Sequence, residues 1–337
     1  MKILYAIQGT GNGHLSRARD VYPELAKHGE VDVLISGIQA DVEFPFPVKY
    51  KMYGMSFIFG KKGGVDILET TKKLKLFKLI SDIYNFPIEQ YDLVINDFEP
   101  ISAWACKLRK RHCISLSHQA AVLSGHAPKP AMEDWRGEII LKNYAPVTAE
   151  YGFHFKSYAQ HISTPVIRKE IRDILPTNEG HYTVYLPAYD DKILLKHLSH
   201  FENVQWKVFS KHCKKLVKTK NIQIEPINNA AFIKSMASAV GVLCGAGFES
   251  PAEALYLGKK LLVIPMHEQY EQQCNAAALE SMGVPVIKRL HEKYYDRIDR
   301  WLTLGEPIKV NYPDNISAVV QQLMLEQSSV LLNPKLA

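Results

Sequence analysis

Short apolar runs alternate with amphipathic segments along the whole chain. Apolar runs at 2–8, 31–36, 92–97 and 114–118 predict strands, and the segments between them have a helical period. The later runs at 182–187, 204–209, 222–225, 238–244 and 260–264 continue the pattern. Strands that alternate with helices are typical of an α/β fold built on parallel sheets.

The alternation occurs twice, and the two halves meet at 164–168, where Pro165 prevents regular continuation. This predicts a Rossmann-like domain over 1–163, a second over 164–314, and a terminal helix in 315–337 that crosses back to the first domain. We expect the two sheets to face each other across a cleft that can close about the hinge.

Composition excludes several classes of protein. The 337 residues are 47% apolar and 23% charged, and they contain no run long enough to span a membrane. The net charge of +6 is modest, and basic and aromatic residues do not interleave, so we expect no nucleic-acid partner. The five cysteines form no CxxC pair, and the N-terminus enters a strand directly; both indicate a cytoplasmic protein without a signal peptide.

One segment of the first half is unusual. Residues 41–66 have the composition of a loop, and 67–85 predict a helix with Leu68, Leu74, Phe77, Ile80 and Ile83 as its apolar residues and several lysines. A basic amphipathic helix can bind an anionic membrane surface, here the inner face. The alternative is a surface helix with a solvated basic face.

Residues 245–255 (GAGFESPAEAL) follow an apolar run and open a helix. Small residues at such a turn let a ligand approach the backbone, and the free amides at a helix N-terminus bind anions such as phosphate. Glu253, one turn further on, is placed to accept hydrogen bonds from a ribose diol. The alternative is an ordinary capped helix with Glu253 as a solvated acid.

A second glycine turn, at 9–14 (GTGNGH), follows the first strand. A dinucleotide-binding turn has the spacing GxGxxG and an acidic residue at the end of the second strand. Here the spacing is GxGxG and the second strand ends in Ser36, so an NAD site is disfavoured. His14 stands at a helix N-terminus, where the dipole favours the neutral ring and leaves it free to accept a proton. The alternative is a histidine that only caps or packs.

Two later strand ends should face the same crevice, because the carboxyl ends of parallel strands form it. Asp97 ends the strand at 92–97 and is placed to accept a hydrogen bond from His14; the alternative is an N-cap for a helix over 101–111. His118 ends the strand at 114–118 and is a candidate acceptor contact, or a histidine satisfied within the fold.

Three blocks together resemble the UDP-sugar-using GT-B glycosyltransferases, which include the UDP-glycosyltransferases and the peptidoglycan glucosaminyltransferase. The blocks are 9–14, 247–255 with Gly258 and Pro265, and 271–276 (EQQCNA). The segment 97–100 (DFEP) resembles a bacterial and archaeal branch of that superfamily. The resemblance implies a GT-B fold, an acceptor-activating His14, a ribose-binding Glu253, and Glu271 with Gln272 on the donor sugar.

The chain also departs from that pattern. Gly245 and Ala246 stand where the family has a histidine before the phosphate glycine, and 186–190 (LPAYD) replace its glycine-rich loop. Phosphate contacts would then depend on the amides of 245–250 and on Arg168. Glu271 is one methylene longer than the aspartate of the family, which leaves the donor sugar open.

The expected site can be stated residue by residue. The catalytic residues are His14 and Asp97. The donor-binding residues are Gly245, Gly247, Phe248, Glu249, Ser250, Glu253, Glu271, Gln272 and Arg168, with Ile227 and Phe232 against the base. The acceptor-side residues are Gly11, Asn12, Gly13 and His118. No Asp-x-Asp occurs in the sequence, so we expect no metal, and no cofactor besides a UDP-linked donor.

These residues predict an inverting glycosyltransferase that moves a sugar from a nucleotide diphosphate to a hydroxyl, with His14 as the base. The acceptor is a saccharide or a lipid. One alternative is a UDP-sugar epimerase of the same fold, which needs no acceptor. Another is a non-catalytic protein that binds nucleotide sugars or glycolipids.

Overall fold

The protein is described by a computed structural model over residues 1–10, 12–37, 44–55, 76–131 and 134–332. Residues 41–43 and 56–66 of the predicted loop and 67–75 of the predicted helix therefore lie outside the described residues, as does Gly11.

The first domain is built on a parallel sheet, which among the described residues has seven strands. They are β1 Lys2–Gln8, β2 Glu30–Ser36, β3 Tyr50–Met52, β4 Leu93–Asp97, β5 Ile114–Ser117, β6 Ala149–Phe153 and β7 Ile162–Ser163. Their order across the sheet is β3-β2-β1-β4-β5-β6-β7. The central strands β1 and β4 are almost wholly buried, as expected for a sheet covered by helices on both faces. The short edge strand β3 falls in the segment that composition alone predicts as loop.

Helices cover this sheet. They are α1 Asn12–Ala26, α2 Leu76–Asn85, α3 Pro100–Leu108, α4 His118–Leu123 and α5 Trp135–Tyr144. The N-cap of α3 is Glu99, whose carboxylate accepts from the backbone N–H of Ile101 at 2.8 Å and of Ser102 at 2.6 Å. Asp97 is therefore not the cap of this helix.

The second domain repeats the architecture. Its strands are β8 His181–Tyr185, β9 Gln205–Ser210, β10 Val217–Thr219, β11 Ile222–Pro226, β12 Gly241–Gly245 and β13 Lys260–Ile264. The order is β10-β11-β9-β8-β12-β13, and the pairs are parallel apart from β10 with β11. Its helices are α6 Lys169–Arg172, α7 Asp191–Leu198, α8 Asn229–Ser238, α9 Glu249–Tyr256, α10 Tyr270–Ser281, α11 Tyr295–Leu304 and α12 Ile316–Leu332. Two parallel sheets with helices confirm the predicted pair of Rossmann-like domains.

The last helix, α12, returns to the first domain and packs on α1. The Gln327 side chain lies between two residues of that domain: its Oε1 is 2.6 Å from Nε2 of His112, and its Nε2 donates to the Tyr151 hydroxyl at 3.2 Å. The chain thus passes between the domains twice.

The helix α2 has a buried side and an exposed apolar side. Leu79 and Ile83, four positions apart, are buried, but Phe77 is 90% exposed and Tyr84 is 63% exposed. The described part of the predicted helix, 76–85, is helical. Within the described residues, no helix is both long and apolar enough to cross a bilayer.

His154, immediately after β6, is buried where the two domains meet. Its ring is surrounded by the rings of His118, Phe155, Tyr158 and Phe248, and Phe248 comes from the second domain. Its Nδ1 accepts from the Phe155 backbone N–H at 2.9 Å. Burial, followed by the nearby His118 and Lys129, lowers the pKa of His154 to about 2, so the folded protein holds the ring neutral.

We predict that His154 makes the protein less stable in acid. The unfolded chain binds a proton as the pH falls below about 6.5, whereas the folded ring does not, so His154 lowers the free energy of unfolding by up to about 1.4 kcal/mol per pH unit. Above about pH 6.5 the ring is neutral in the folded and in the unfolded chain, so His154 does not reduce the free energy of unfolding there. Urea unfolding from pH 7.5 to 4.5 should give a shallower pH dependence for His154→Phe than for wild type. The exposed His126→Gln serves as control, and parallel curves for His154→Phe and wild type would contradict the prediction.

Candidate active site

The imidazole of His14 and the carboxylate of Asp97 are in contact. His14 lies in the first turn of α1, and its Nδ1 is 2.8 Å from Oδ1 of Asp97 at the end of β4. Asp97 is fully buried. Burial raises the pKa of this carboxyl, but Arg17 and His14 together outweigh burial, and the net pKa is lowered. An ionised Asp97 accepts the Nδ1–H of His14, which leaves the Nε2 lone pair free to take a proton.

Arg17, which the sequence analysis does not single out, completes this cluster. One NH2 group donates to Asp97 at both oxygens, at 2.7 and 2.9 Å. Burial lowers the pKa of Arg17, but Asp97 and then Glu249 raise it by more, so the guanidinium remains charged. Its position three residues after His14, on the same face of α1, is the signal that could have identified it.

The other side of the His14 ring meets Gln119, a second residue that the sequence analysis overlooks. The Gln119 amide nitrogen is 3.4 Å from Nε2 of His14 and donates to Oε2 of Glu271 at 3.1 Å. A carboxylate and an imidazole lone pair both require a donor, which assigns the NH2 end of the amide to this side. Gln119 thus connects the expected base of one domain to the expected sugar-binding acid of the other.

The turn between β12 and α9 has the form expected of an anion site. The N-cap of α9 is Phe248, which makes no side-chain hydrogen bond to the helix amides. A Cβ placed on Gly247 would meet no atom within 4 Å, so this turn opens onto free space. Unsatisfied amides beside free space are suited to a phosphate.

Two cavities meet at this turn. The larger, of about 430 Å³, is lined by the expected nucleotide residues Arg168, Ile227, Phe232, Glu253 and Ser250. The smaller, of about 220 Å³, is lined by His14, Gln119, Gly245, Glu271 and Gln272. Both cavities are lined by Asn12, Gly13, Tyr185, Gly247, Phe248, Glu249 and Ser250. The structure therefore brings together, on two sides of one cleft, most of the site residues that the sequence predicts.

Arg168 and Glu253, which both line the larger cavity, are bound to each other. Arg168 donates to both Glu253 oxygens, the contact of NH2 with Oε2 being 2.8 Å, and its NH1 donates to Asn229. Burial raises the pKa of Glu253, and Arg168 only partly offsets this increase. Arg168 thus orients Glu253, and the structure does not present it as a free phosphate ligand.

Gln272 and Glu271 differ in their accessibility. Gln272 is buried, and its Oε1 accepts from the Met266 backbone N–H at 3.0 Å. The Glu271 side chain is partly exposed to the smaller cavity. Both residues line the smaller cavity, and Glu271 is the more exposed of the two.

His118 does not face the cleft. It is buried, with Nδ1 2.8 Å from the Phe153 carbonyl oxygen and Nε2 2.7 Å from Oδ1 of Asn275. Its ring stacks on Phe248 with a centroid separation of 3.8 Å. Burial lowers the pKa of His118 despite the proximity of Glu271. The geometry favours the alternative of a histidine satisfied within the fold, and it gives His118 a place in the contact between the domains.

Comparisons with known proteins bear on the family and the fold. The model of glycosyl transferase family 1 matches residues 1–303. A comparison with curated proteins gave no match. Among solved structures, the chain is similar to a UDP-glucosyltransferase from Polygonum tinctorium that glucosylates indoxyl, with 13% identity, a TM-score of 0.58, and coverage of 98% of this chain and 94% of that one.

Two further structures share the fold. The spinosyn forosaminyltransferase SpnP is 12% identical with a TM-score of 0.56, over 99% of this chain and all of that one. A UDP-N-acetylglucosamine 2-epimerase is 14% identical with a TM-score of 0.54, over 98% and 97% of the two chains. These likenesses establish the architecture, and the family model covers both domains. The chain therefore belongs to glycosyl transferase family 1 and is a glycosyltransferase with the GT-B fold.

Proposed function

We propose that this glycosyltransferase moves a sugar from a UDP-linked donor to a hydroxyl acceptor with inversion at the anomeric carbon, and that His14 is the general base. The observation that carries the proposal is that His14 and the open turn before α9 line the same cavity, the smaller of the two. A base on one side of a sugar and a leaving-group site on the other suit an in-line displacement.

In the proposed reaction the acceptor oxygen attacks the anomeric carbon while Nε2 of His14 takes its proton. Asp97 holds the Nδ1–H and stabilises the imidazolium that forms. General-base assistance of this kind contributes about 10²–10⁴-fold to the rate. The Gln119 amide must leave Nε2 before the acceptor can approach, because both groups require the same lone pair.

The departing diphosphate gains negative charge, and we propose that the backbone amides of 247–250 stabilise it. These amides stand at the N-terminus of α9, where the dipole already favours an anion, so little reorganisation is needed. Support for a reaction without a divalent metal comes from this donor set and from the lack of an Asp-x-Asp in the sequence.

The larger cavity suits the nucleoside. Glu253 borders it with a carboxylate whose orientation Arg168 fixes, and we propose that its remaining lone pairs accept from the ribose hydroxyls. Phe232, packed against Tyr185 and Phe209, forms an apolar wall for the base together with Ile227. Glu271 would bind the hydroxyls of the donor sugar in the smaller cavity.

For the base, we predict that His14→Ala lowers the turnover of a UDP-sugar by about 10²–10⁴-fold, because the proton of the acceptor then has no recipient. UDP affinity should change less than about twofold, since His14 does not line the larger cavity. UDP release with a panel of hydroxyl acceptors gives the rate, and calorimetry gives the affinity. His126→Ala changes an exposed histidine that lines neither cavity and is the control. Near-normal turnover in His14→Ala would remove His14 from the mechanism.

For the ribose, we predict that wild type binds UDP more tightly than 2′-deoxyuridine diphosphate by about tenfold or more, because a charged hydrogen bond is lost with the hydroxyl. Glu253→Gln keeps the shape of the side chain and should reduce this ratio towards one. Calorimetry with the two nucleotides measures the ratio directly, and differential scanning calorimetry checks that the variant folds. A ratio unchanged in Glu253→Gln would refute the ribose role.

We also propose that a lipid surface presents the acceptor, and that α2 contacts it. The support is the row of exposed apolar side chains on this helix, among them Leu76, Phe77 and Ile80. We predict that the protein floats with vesicles containing anionic lipid and that Phe77→Ser reduces the bound fraction at least about threefold. Leu325→Ser, which removes an apolar residue of α12 that is 68% exposed, is the control. Equal binding of both variants would favour a soluble saccharide acceptor.

One incubation separates the remaining alternatives. A UDP-sugar kept with the enzyme and no acceptor would be converted to an isomer by an epimerase. A purely binding protein would leave the donor intact, both alone and with the acceptor panel. The family model over both domains favours transfer.

A further inference from the structure

The carboxylate of Glu249 lies where an anion would be expected to bind. Glu249 is in the first turn of α9, and its side chain reaches across the cleft to the first turn of α1. A Cβ on Gly13 would lie 2.3 Å from its Oε2, so the carboxylate rests directly on that glycine backbone. The N-termini of two helices thus converge on one carboxylate, and both ends favour negative charge.

Arg17 binds this carboxylate from within the first domain. Its NH1 donates to Oε1 of Glu249 at 2.5 Å, whereas its NH2 is engaged with Asp97. The guanidinium is 2% exposed and the Glu249 side chain is 23% exposed. Nε of Arg17 has no hydrogen-bond partner among the described residues. Two carboxylates therefore contact this buried cation, and the second is supplied by the facing domain.

The position of Glu249 relative to the cavities identifies the anion that would compete with it. Glu249 lines both the nucleoside cavity and the cavity beside His14. A nucleotide sugar that spans the two cavities would place its diphosphate at their junction. A carboxylate at that junction repels a diphosphate, and the repulsion is strong because the surroundings are poorly solvated.

We propose that Arg17 is a ligand of the donor diphosphate and that Glu249 covers it in the empty protein. The diphosphate displaces the Glu249 carboxylate and accepts from NH1 in its place. Arg17 keeps its two bonds to Asp97 throughout, so one guanidinium connects the leaving group to the residue that orients His14. The inference rests on the proposed nucleotide-diphosphate donor and changes the expected role of Glu249 from donor ligand to competitor.

The test compares the dissociation constants of UDP and inorganic pyrophosphate by calorimetry at low salt. Glu249→Gln removes the competing charge and keeps the size of the side chain, so both ligands should bind about tenfold more tightly. Glu292→Gln causes the same change in net charge at a surface ion pair with Lys196, outside the cleft, and should change either constant less than about twofold. Weaker or unchanged binding in Glu249→Gln would overturn the proposal.

Arg17 is tested through its coupling to Glu249. Arg17→Lys should weaken pyrophosphate binding about tenfold, because a single ammonium cannot serve Asp97 and the diphosphate together. When Arg17 is already lysine, Glu249→Gln should increase the affinity for pyrophosphate by less than half as much as it does in the wild-type protein. Thermal unfolding identifies a variant that fails to fold, and the Glu249→Gln result then decides the proposal alone.

The outcomes also separate this inference from the proposed function. If Glu249→Gln binds pyrophosphate more tightly and Arg17→Lys binds it more weakly, but UDP does not bind, the anion site is supported and the nucleotide donor is refuted. If UDP binds and sugar is transferred while Glu249→Gln binds pyrophosphate more weakly, the donor proposal stands and Glu249 is a ligand.

Discussion

The cleft of this protein is organised around the buried guanidinium of Arg17. A cation removed from water is stable only where anions replace the lost hydration, and here Asp97 and Glu249 do so. Asp97 comes from the same domain and Glu249 from the other. Asp97 balances the charge of Arg17 within the first domain, and Glu249 adds an ionic contact with the facing domain. The pair with Asp97 also aligns His14, because the carboxylate that binds Arg17 also binds the imidazole.

Other polar groups at the domain boundary also have hydrogen-bond partners in the facing domain. His118 of the first domain is satisfied by Asn275 of the second, and Asn275 also donates to the Ala246 carbonyl in the turn between β12 and α9. Gln119 spans the boundary between His14 and Glu271. Each domain thus completes hydrogen bonds that the other leaves open, and buried polar groups that depend on an exact partner fix the relative orientation of the domains.

The sequence predicts best those parts of the fold and of the candidate site that are formed by residues adjacent in the chain. The strand at 260–264, the turn before Glu249 and the position of His14 follow from apolar runs and glycines that are adjacent in the chain. The three-residue edge strands β3 and β10 were missed because so short a segment has too few positions for a period to be visible.

Residues whose roles depend on distant partners could not be predicted in the same way. The partners of Arg17 lie 80 and 232 positions away, and Gln119 acts between residues of separate domains. Phe98 adopts a φ of 57°, a left-handed conformation that side chains disfavour, and its ring stacks on Tyr144. Only the tertiary surroundings can impose such a conformation.

The second passage of the chain, through α12, limits how this cleft can move. A single connection would allow the domains to swing and twist freely about one point. Because α12 is attached to the first domain through Gln327, the two passages define a line, and the permitted motion is essentially a rotation around it. Opening would then separate Arg17 from Glu249 along a nearly fixed arc, and closing would restore their contact.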